Sequence, residues 1–214
     1  MEPRPGLTPL QQRVLGLLAP IEPPWTLAGG AALIGFHLGH RVTRDLEVSW
    51  RGTDDLGHLG AEVTRVLRAQ DLEVEVLHRG TTFQRLRVKA ETETVVLDLV
   101  ADPTMSIEPA ERASVEDVEI RIDSRHELLV SKLTALLGRS ELRDLVDLRA
   151  LLDSGGDLVR ALEDAPRRDA GFSILSLARA LRSLPVARLA EVEAMPAGEA
   201  DSLDAFRDEL VERL

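Results

Sequence analysis

A chain of 214 residues has room for one or two domains with their own cores, because domains usually run ~100–200 residues. It contains no cysteine, which excludes disulfides, thiolate zinc sites and cysteine nucleophiles and fits a reducing compartment. The net charge of −11 excludes a general nucleic-acid coat, since affinity for phosphate backbones comes from lysine and arginine.

Residues 8–18 place Leu10, Val14, Leu15 and Leu18 on one stripe, predicting a helix that the prolines at 20, 23 and 24 end. Before it, Met1-Glu2-Pro3-Arg4-Pro5 has none of the apolar run of a signal peptide. No stretch of the chain approaches the ~20 apolar residues that span a bilayer, so the expectation is a cytoplasmic protein with no membrane partner. A small, apolar run at 31–38 predicts a buried helix opened by Gly29-Gly30 and stopped by Gly39. A strand fits 45–50, and 56–69 reads as an amphipathic helix. From 72 to 122 the period changes to two, with strands expected at 72–77, 83–89, 94–100 and 118–122. With 45–50 they make a mixed sheet of about five strands. Beyond Ser124 the pattern is helical again, at 124–137, 141–152, 158–163, 172–184 and 202–214, and Ser124 with Glu127 forms a capping-box signature. The fold class is therefore α+β: a sheet domain with flanking helices at 1–123, followed by a helical domain at 124–214. Between Glu191 and Arg213 eight acids face two arginines, which puts more than half of the net negative charge in the C-terminal tail.

Six groups of residues can carry chemistry. Glycines at 29 and 30 let backbone amides approach a phosphate at a helix start, although a glycine pair also serves as a plain tight turn. On a strand, Asp45 and Glu47 project from one face, where two carboxylates can share hard divalent cations or be solvated. Asp98 interrupts the apolar strand Thr94-Val95-Val96-Leu97-Asp98-Leu99-Val100, a costly place for a charge unless it is paired, metal-bound or turned to the surface. Lys132 lies in a mostly apolar helix and suits a triphosphate, with snorkelling to the surface as the alternative. Downstream, Asp144 and Asp147 share one helical face beside Arg139 and Arg143. Arg85, Arg87 and Lys89 align on one face of their strand, as a basic patch for RNA or as a solvated outer face.

Three blocks of sequence together resemble the AbiEii/AbiGii-type toxin family of minimal nucleotidyltransferases, in the DNA polymerase β-like superfamily. Leu27-Ala28-Gly29-Gly30-Ala31-Ala32-Leu33, followed by His40-Arg41-Val42-Thr43-Arg44-Asp45-Leu46-Glu47, is similar to the family's glycine turn, its His-Arg-x-Ser/Thr segment and its metal-binding Asp-x-Asp. Val96-Leu97-Asp98-Leu99-Val100 resembles the strand of the third carboxylate. Lys132, Arg139 and Arg143-Asp144-Leu145-Val146-Asp147 resemble the downstream Lys…Arg…Arg-Asp-x-x-Asp helices. The resemblance implies an enzyme using Mg²⁺ or Mn²⁺ held by Asp45, Glu47 and Asp98. A nucleoside triphosphate would be cradled by Gly29, Gly30, Thr43 and Lys132, with Asp144 orienting Lys132 or the base. It further implies transfer of a nucleoside monophosphate to an acceptor hydroxyl such as a tRNA 3′ end, in a toxin–antitoxin or phage-defence system with a cognate antitoxin protein. The sequence departs from the family pattern in Glu47, where aspartate is usual, and in Ala31, where a hydroxyl residue is usual. Both departures favour the alternative of a weakened or inactive member of the fold that binds a nucleotide or a partner protein.

Overall fold

Thr8 sets the first helix, α1 (Pro9–Leu18). Its hydroxyl accepts the Gln11 N–H at 3.2 Å while the Gln11 amide oxygen accepts the Thr8 N–H at 2.8 Å, a reciprocal capping box with proline at the first helical position. Leu10, Val14, Leu15 and Leu18 are its buried stripe, and Trp25 donates to the Leu18 carbonyl at 2.7 Å. The computed structural model describes residues 6–139 and 141–214, so the opening segment 1–5 lies outside the described residues.

Next come the three-residue strand β1 (Thr26–Ala28) and the short helix α2 (Gly29–Ala32). The helix runs on into a π-helical stretch, Leu33–Leu38, closed by Gly39 at φ 62°. An ordinary helix at 31–38 is thus corrected to one that starts at Gly29 and widens, a change of pitch that apolar patterning does not encode. The remaining elements of the sheet region are β2 (Asp45–Arg51), α3 (Leu59–Arg68), β3 (Glu73–Arg79), β4 (Phe83–Lys89), β5 (Thr94–Asp102), β6 (Glu111–Val115) and β7 (Val118–Ile122). They form a seven-stranded mixed sheet in the order β3-β4-β5-β2-β1-β7-β6, with β2–β5 and β1–β7 parallel and the other neighbours antiparallel.

The two strands beyond the expected five are β1 and β6. β1 is too short to show a period. β6 reads Glu-Arg-Ala-Ser-Val, without apolar alternation, and is brought into the sheet by its hairpin with β7. That hairpin turns through Glu116 and Asp117, both at positive φ (46° and 65°), the geometry of the two-residue turn whose usual signature is Asn-Gly. Leu46, Val48, Leu86, Val88, Leu97 and Leu99 are fully buried on one face of the central strands, and α1 and α3 pack together and against the sheet's strands.

The chain divides after Ser124, one residue beyond the expected boundary, into the units Met1–Ser124 and Arg125–Leu214. The second unit holds α4 (Arg125–Gly138), α5 (Leu142–Asp153), α6 (Leu158–Arg168), α7 (Ile174–Ser183), α8 (Val186–Val192) and α9 (Ala197–Arg213). Its core is built from Leu128, Leu133, Leu145, Leu148, Leu177, Leu181 and Leu203. Three expectations change here. α6 runs through Pro166 to Arg168 instead of stopping at 163, because Pro166 sits in the last turn and Ala165 is buried. α8 escapes periodicity, with only Val186 and Ala190 buried. α9 begins five residues early, after Pro196. Ser124, the last residue of the sheet unit, donates from Oγ to Glu108 at 2.5 Å within that unit.

Candidate active site

β1 ends at Ala28, and the next residue, Gly29, has a φ of 61°, in the left-handed region that costs other residues ~1–2 kcal/mol. Space demands glycine as well. Ala28 is in register with Glu47 of β2, and a Cβ on Gly29 would lie 3.3 Å from Glu47 Oε2. A Cβ on Gly30 would lie 3.1 Å from Arg41 Nη2 and 3.6 Å from Thr43 Oγ1. The two glycines therefore let the helix start, the 41–43 segment and the Glu47 carboxylate close on one another. Thr43 Oγ1 faces the backbone of Asp45, 3.3 Å from its carbonyl and 3.4 Å from its nitrogen. Gln11 Nε2 donates to the Thr43 carbonyl at 3.1 Å, so α1 braces the segment that leads into β2.

Parallel pairing of β2 with β5 aligns Asp45 with Val96 and Glu47 with Asp98. Since side chains alternate along a strand, and Leu46, Val48, Leu97 and Leu99 take the buried face, Asp45, Glu47 and Asp98 share the opposite, half-open face. Glu47 and Asp98 are neighbours across one strand spacing of ~4.8 Å. Asp98, however, is gripped by Arg85 of β4. Arg85 Nε donates to Oδ1 and Nη2 to Oδ2, each at 2.7 Å, a bidentate fork across registered neighbours. Among the described residues no group of three or more His, Asp or Glu side chains is arranged to hold a metal ion. The donors the face offers are the hard carboxylate oxygens of Asp45 and Glu47, with Asp98 adjacent but held. That set fits Mg²⁺, which commonly takes one or two protein carboxylates and completes its shell with water and substrate phosphate.

The basic strand reads differently once its neighbours are in place. Arg87 pairs with Glu75 at 2.7 Å and Lys89 with Glu73 at 3.0 Å, both across β3–β4, so Arg85, Arg87 and Lys89 each face a carboxylate. Farther along the site face of β2 lies a cluster that sequence reasoning missed. Arg51 Nη1 donates to Asp102 at 2.5 Å and Nη2 to Asp123 at 2.7 Å, and His37 Nε2 donates to the Asp123 carbonyl at 2.9 Å. Asp123 N–H in turn donates to the Leu27 carbonyl. The clasp ties the ends of β2, β5 and β7 to the helix after the glycine turn. Its members are 51 and 72 residues apart, so no local signal marks them.

In the helical unit, Lys132 is buried and does not snorkel. Its Nζ lies 2.8 Å from Asp144 Oδ1 and 2.7 Å from Asp147 Oδ2, both acids having no exposed surface. Arg139 adds donors to Asp144 at 2.8 and 3.1 Å. Burial by itself pushes the Asp144 carboxyl upward; the neighbouring Lys132 ammonium and the hydrogen bonds from Arg139 and Lys132 outweigh it and hold the group below its ordinary value.

A family model described as nucleotidyl transferase AbiEii toxin, type IV TA system, matches residues 14–213. No curated protein matches the chain at the sequence level. Among solved structures, MenT4, a nucleotidyltransferase toxin from Mycobacterium tuberculosis H37Rv, is similar with a TM-score of 0.64 at 19% identity, over 96% of this chain and 82% of that one. A candidate nucleotidyltransferase from Helicobacter pylori gives 0.55 at 19% identity over 97% and 96% of the two chains. JHP933 from Helicobacter pylori gives 0.52 at 19% identity over 95% and 89%. At these identities the structural likeness speaks for the fold.

Proposed function

The chain belongs to the nucleotidyl transferase AbiEii toxin family of type IV toxin–antitoxin systems, and from that premise we propose that it moves a nucleoside monophosphate from a triphosphate to an acceptor hydroxyl. The acceptor would be an RNA 3′ end of the tRNA kind, the metal Mg²⁺ or Mn²⁺, the compartment the cytoplasm and the controlling partner a cognate antitoxin. One observation carries the reading: the parallel register that sets Glu47 beside Asp98, with Asp45 on the same face and the Gly29-Gly30 turn closed against Glu47. When bound, a divalent cation supplies Lewis-acid stabilisation of the triphosphate and lowers the barrier to attack by the acceptor oxygen.

The chain's own residues supply position. Asp45 and Glu47 offer oxygen ligands, and the strand period fixes their direction. The amides at Gly29 and Gly30, with no Cβ in the way, can approach phosphate oxygens. Thr43, tied to the Asp45 backbone, holds the approach to that carboxylate. Lys132 is held by Asp144 and Asp147 within the helical unit. Glu47 in place of aspartate lengthens one metal arm by a methylene while keeping its charge and face.

The test is incorporation of labelled nucleoside triphosphates into total tRNA with Mg²⁺ or Mn²⁺, comparing wild type with Asp45→Ala. Metal-dependent incorporation that falls at least ~100-fold in Asp45→Ala is expected. Equal incorporation by both proteins refutes the assignment of Asp45.

A further inference from the structure

The Arg85–Asp98 fork is the feature of the site face that the proposed reaction does not use. Parallel register forces Glu47 and Asp98 to stand side by side, and two like charges at that spacing repel. Arg85 offsets one of them with both of its forward-facing donors, each at 2.7 Å. A carboxylate that accepts a guanidinium donor on each oxygen keeps further lone pairs, but the fork offsets its charge and fixes its direction, so it is a weaker ligand for a cation held by Asp45 and Glu47. The Arg85 side chain is itself 46% exposed, against 13% for Asp98, so the arginine is the partner that solvent and a ligand reach first. Its guanidinium already lies 5.5 Å over the Phe83 ring, a surface along which a planar cation slides at little cost.

Resting on the nucleotidyltransferase reading of this face, we infer that Arg85 is a built-in competitor for the metal site. It holds Asp98 in the substrate-free protein and releases it when a triphosphate offers the guanidinium phosphate oxygens in exchange. The exchange is chemically matched, because the guanidinium fork fits carboxylate and phosphate alike. It makes metal and triphosphate binding mutually reinforcing: the phosphate removes the arginine that competes with the cation for the third carboxylate. Arg85 is thus a positioning residue, acting through Asp98.

Mn²⁺ titration of the metal-free protein, followed by the electron paramagnetic resonance of the free ion, reads this without any turnover. Wild type, Arg85→Gln, Arg85→Lys, Arg87→Gln, Asp45→Asn and the double variant Arg85→Gln/Asp98→Asn would be compared, each confirmed folded by thermal melting. Arg85→Gln should bind Mn²⁺ about fivefold more tightly than wild type, the ceiling set by a half-exposed ion pair. Arg85→Lys, which keeps the charge but loses the fork, should fall between them, and the gain should vanish in the double variant. No gain in Arg85→Gln while Asp45→Asn loses binding overturns this inference and leaves the metal reading standing. So does an equal gain in Arg87→Gln, or a gain that survives removal of Asp98, since either means that general charge and not the fork is responsible. Binding that is unchanged in Asp45→Asn overturns the metal reading and the inference with it.

Discussion

Lys132, Asp144 and Asp147 show how far a single substitution can be read. The ammonium is shared by two acids with no exposed surface, and breaking such a buried set from one side costs roughly 3–5 kcal/mol. Lys132→Ala is therefore expected to lower the melting temperature by more than ~10 °C, before any effect on nucleotide binding can be seen. Lys132→Arg, which keeps the cation, is the variant for calorimetric titration with a triphosphate. Asp144 makes a second prediction. Its carboxyl is held below the unfolded value, so its stabilisation is complete above about pH 4 and is lost as pH falls through the folded value. Asp144→Asn should be less stable than wild type near neutrality by about 3 kcal/mol. Its urea midpoint should change less than that of wild type as the pH is lowered below about 4. Parallel acid profiles for the two proteins would remove Asp144 from the acid response.

At the scale of elements, the glycine turn between β1 and α2 and the strand β2 work as one device. Gly29 has both a left-handed backbone and a carboxylate at 3.3 Å from any added Cβ, whereas Gly57, at φ 50°, has nothing within 4 Å. Alanine at 57 should cost only the backbone term of ~1–2 kcal/mol. Alanine at 29 should cost that and also displace Glu47, so metal-dependent incorporation should fall in Gly29→Ala and not in Gly57→Ala. The same device makes a prediction for Glu47→Asp. The shorter acid keeps charge and face and withdraws from Gly29, so the fold should be retained, with transfer equal to or above wild type. A severe loss would show that the turn is fitted to glutamate. Much of this was readable in the sequence, because glycine conformations and the two-residue period of a strand are local properties. That Asp98 faces Glu47 and is gripped by Arg85 was not, because register between β2, β4 and β5 is set by burial of Leu46, Leu86 and Leu97 together.

For the whole molecule, charge is the property to follow. The three cations of β4 on the site face are already spoken for, by Asp98, Glu75 and Glu73, and the excess of acid gathers in the C-terminal tail. If tRNA draws on these three cations of β4 alone, the logarithm of affinity should fall against the logarithm of salt with a slope no steeper than about −3. A much steeper slope would place the RNA contact elsewhere on the protein. By itself the sequence determined the α+β class, the glycine turn, the Asp45/Glu47 pair and the family, since each is written in residues close together along the chain. Tertiary structure alone decided the strands β1 and β6, the burial of Lys132 between two acids, the Arg51–Asp102–Asp123 clasp and the Arg85 grip on Asp98. Those depend on which distant segments pair, and pairing is settled by the core as a whole and not by any local run of residues.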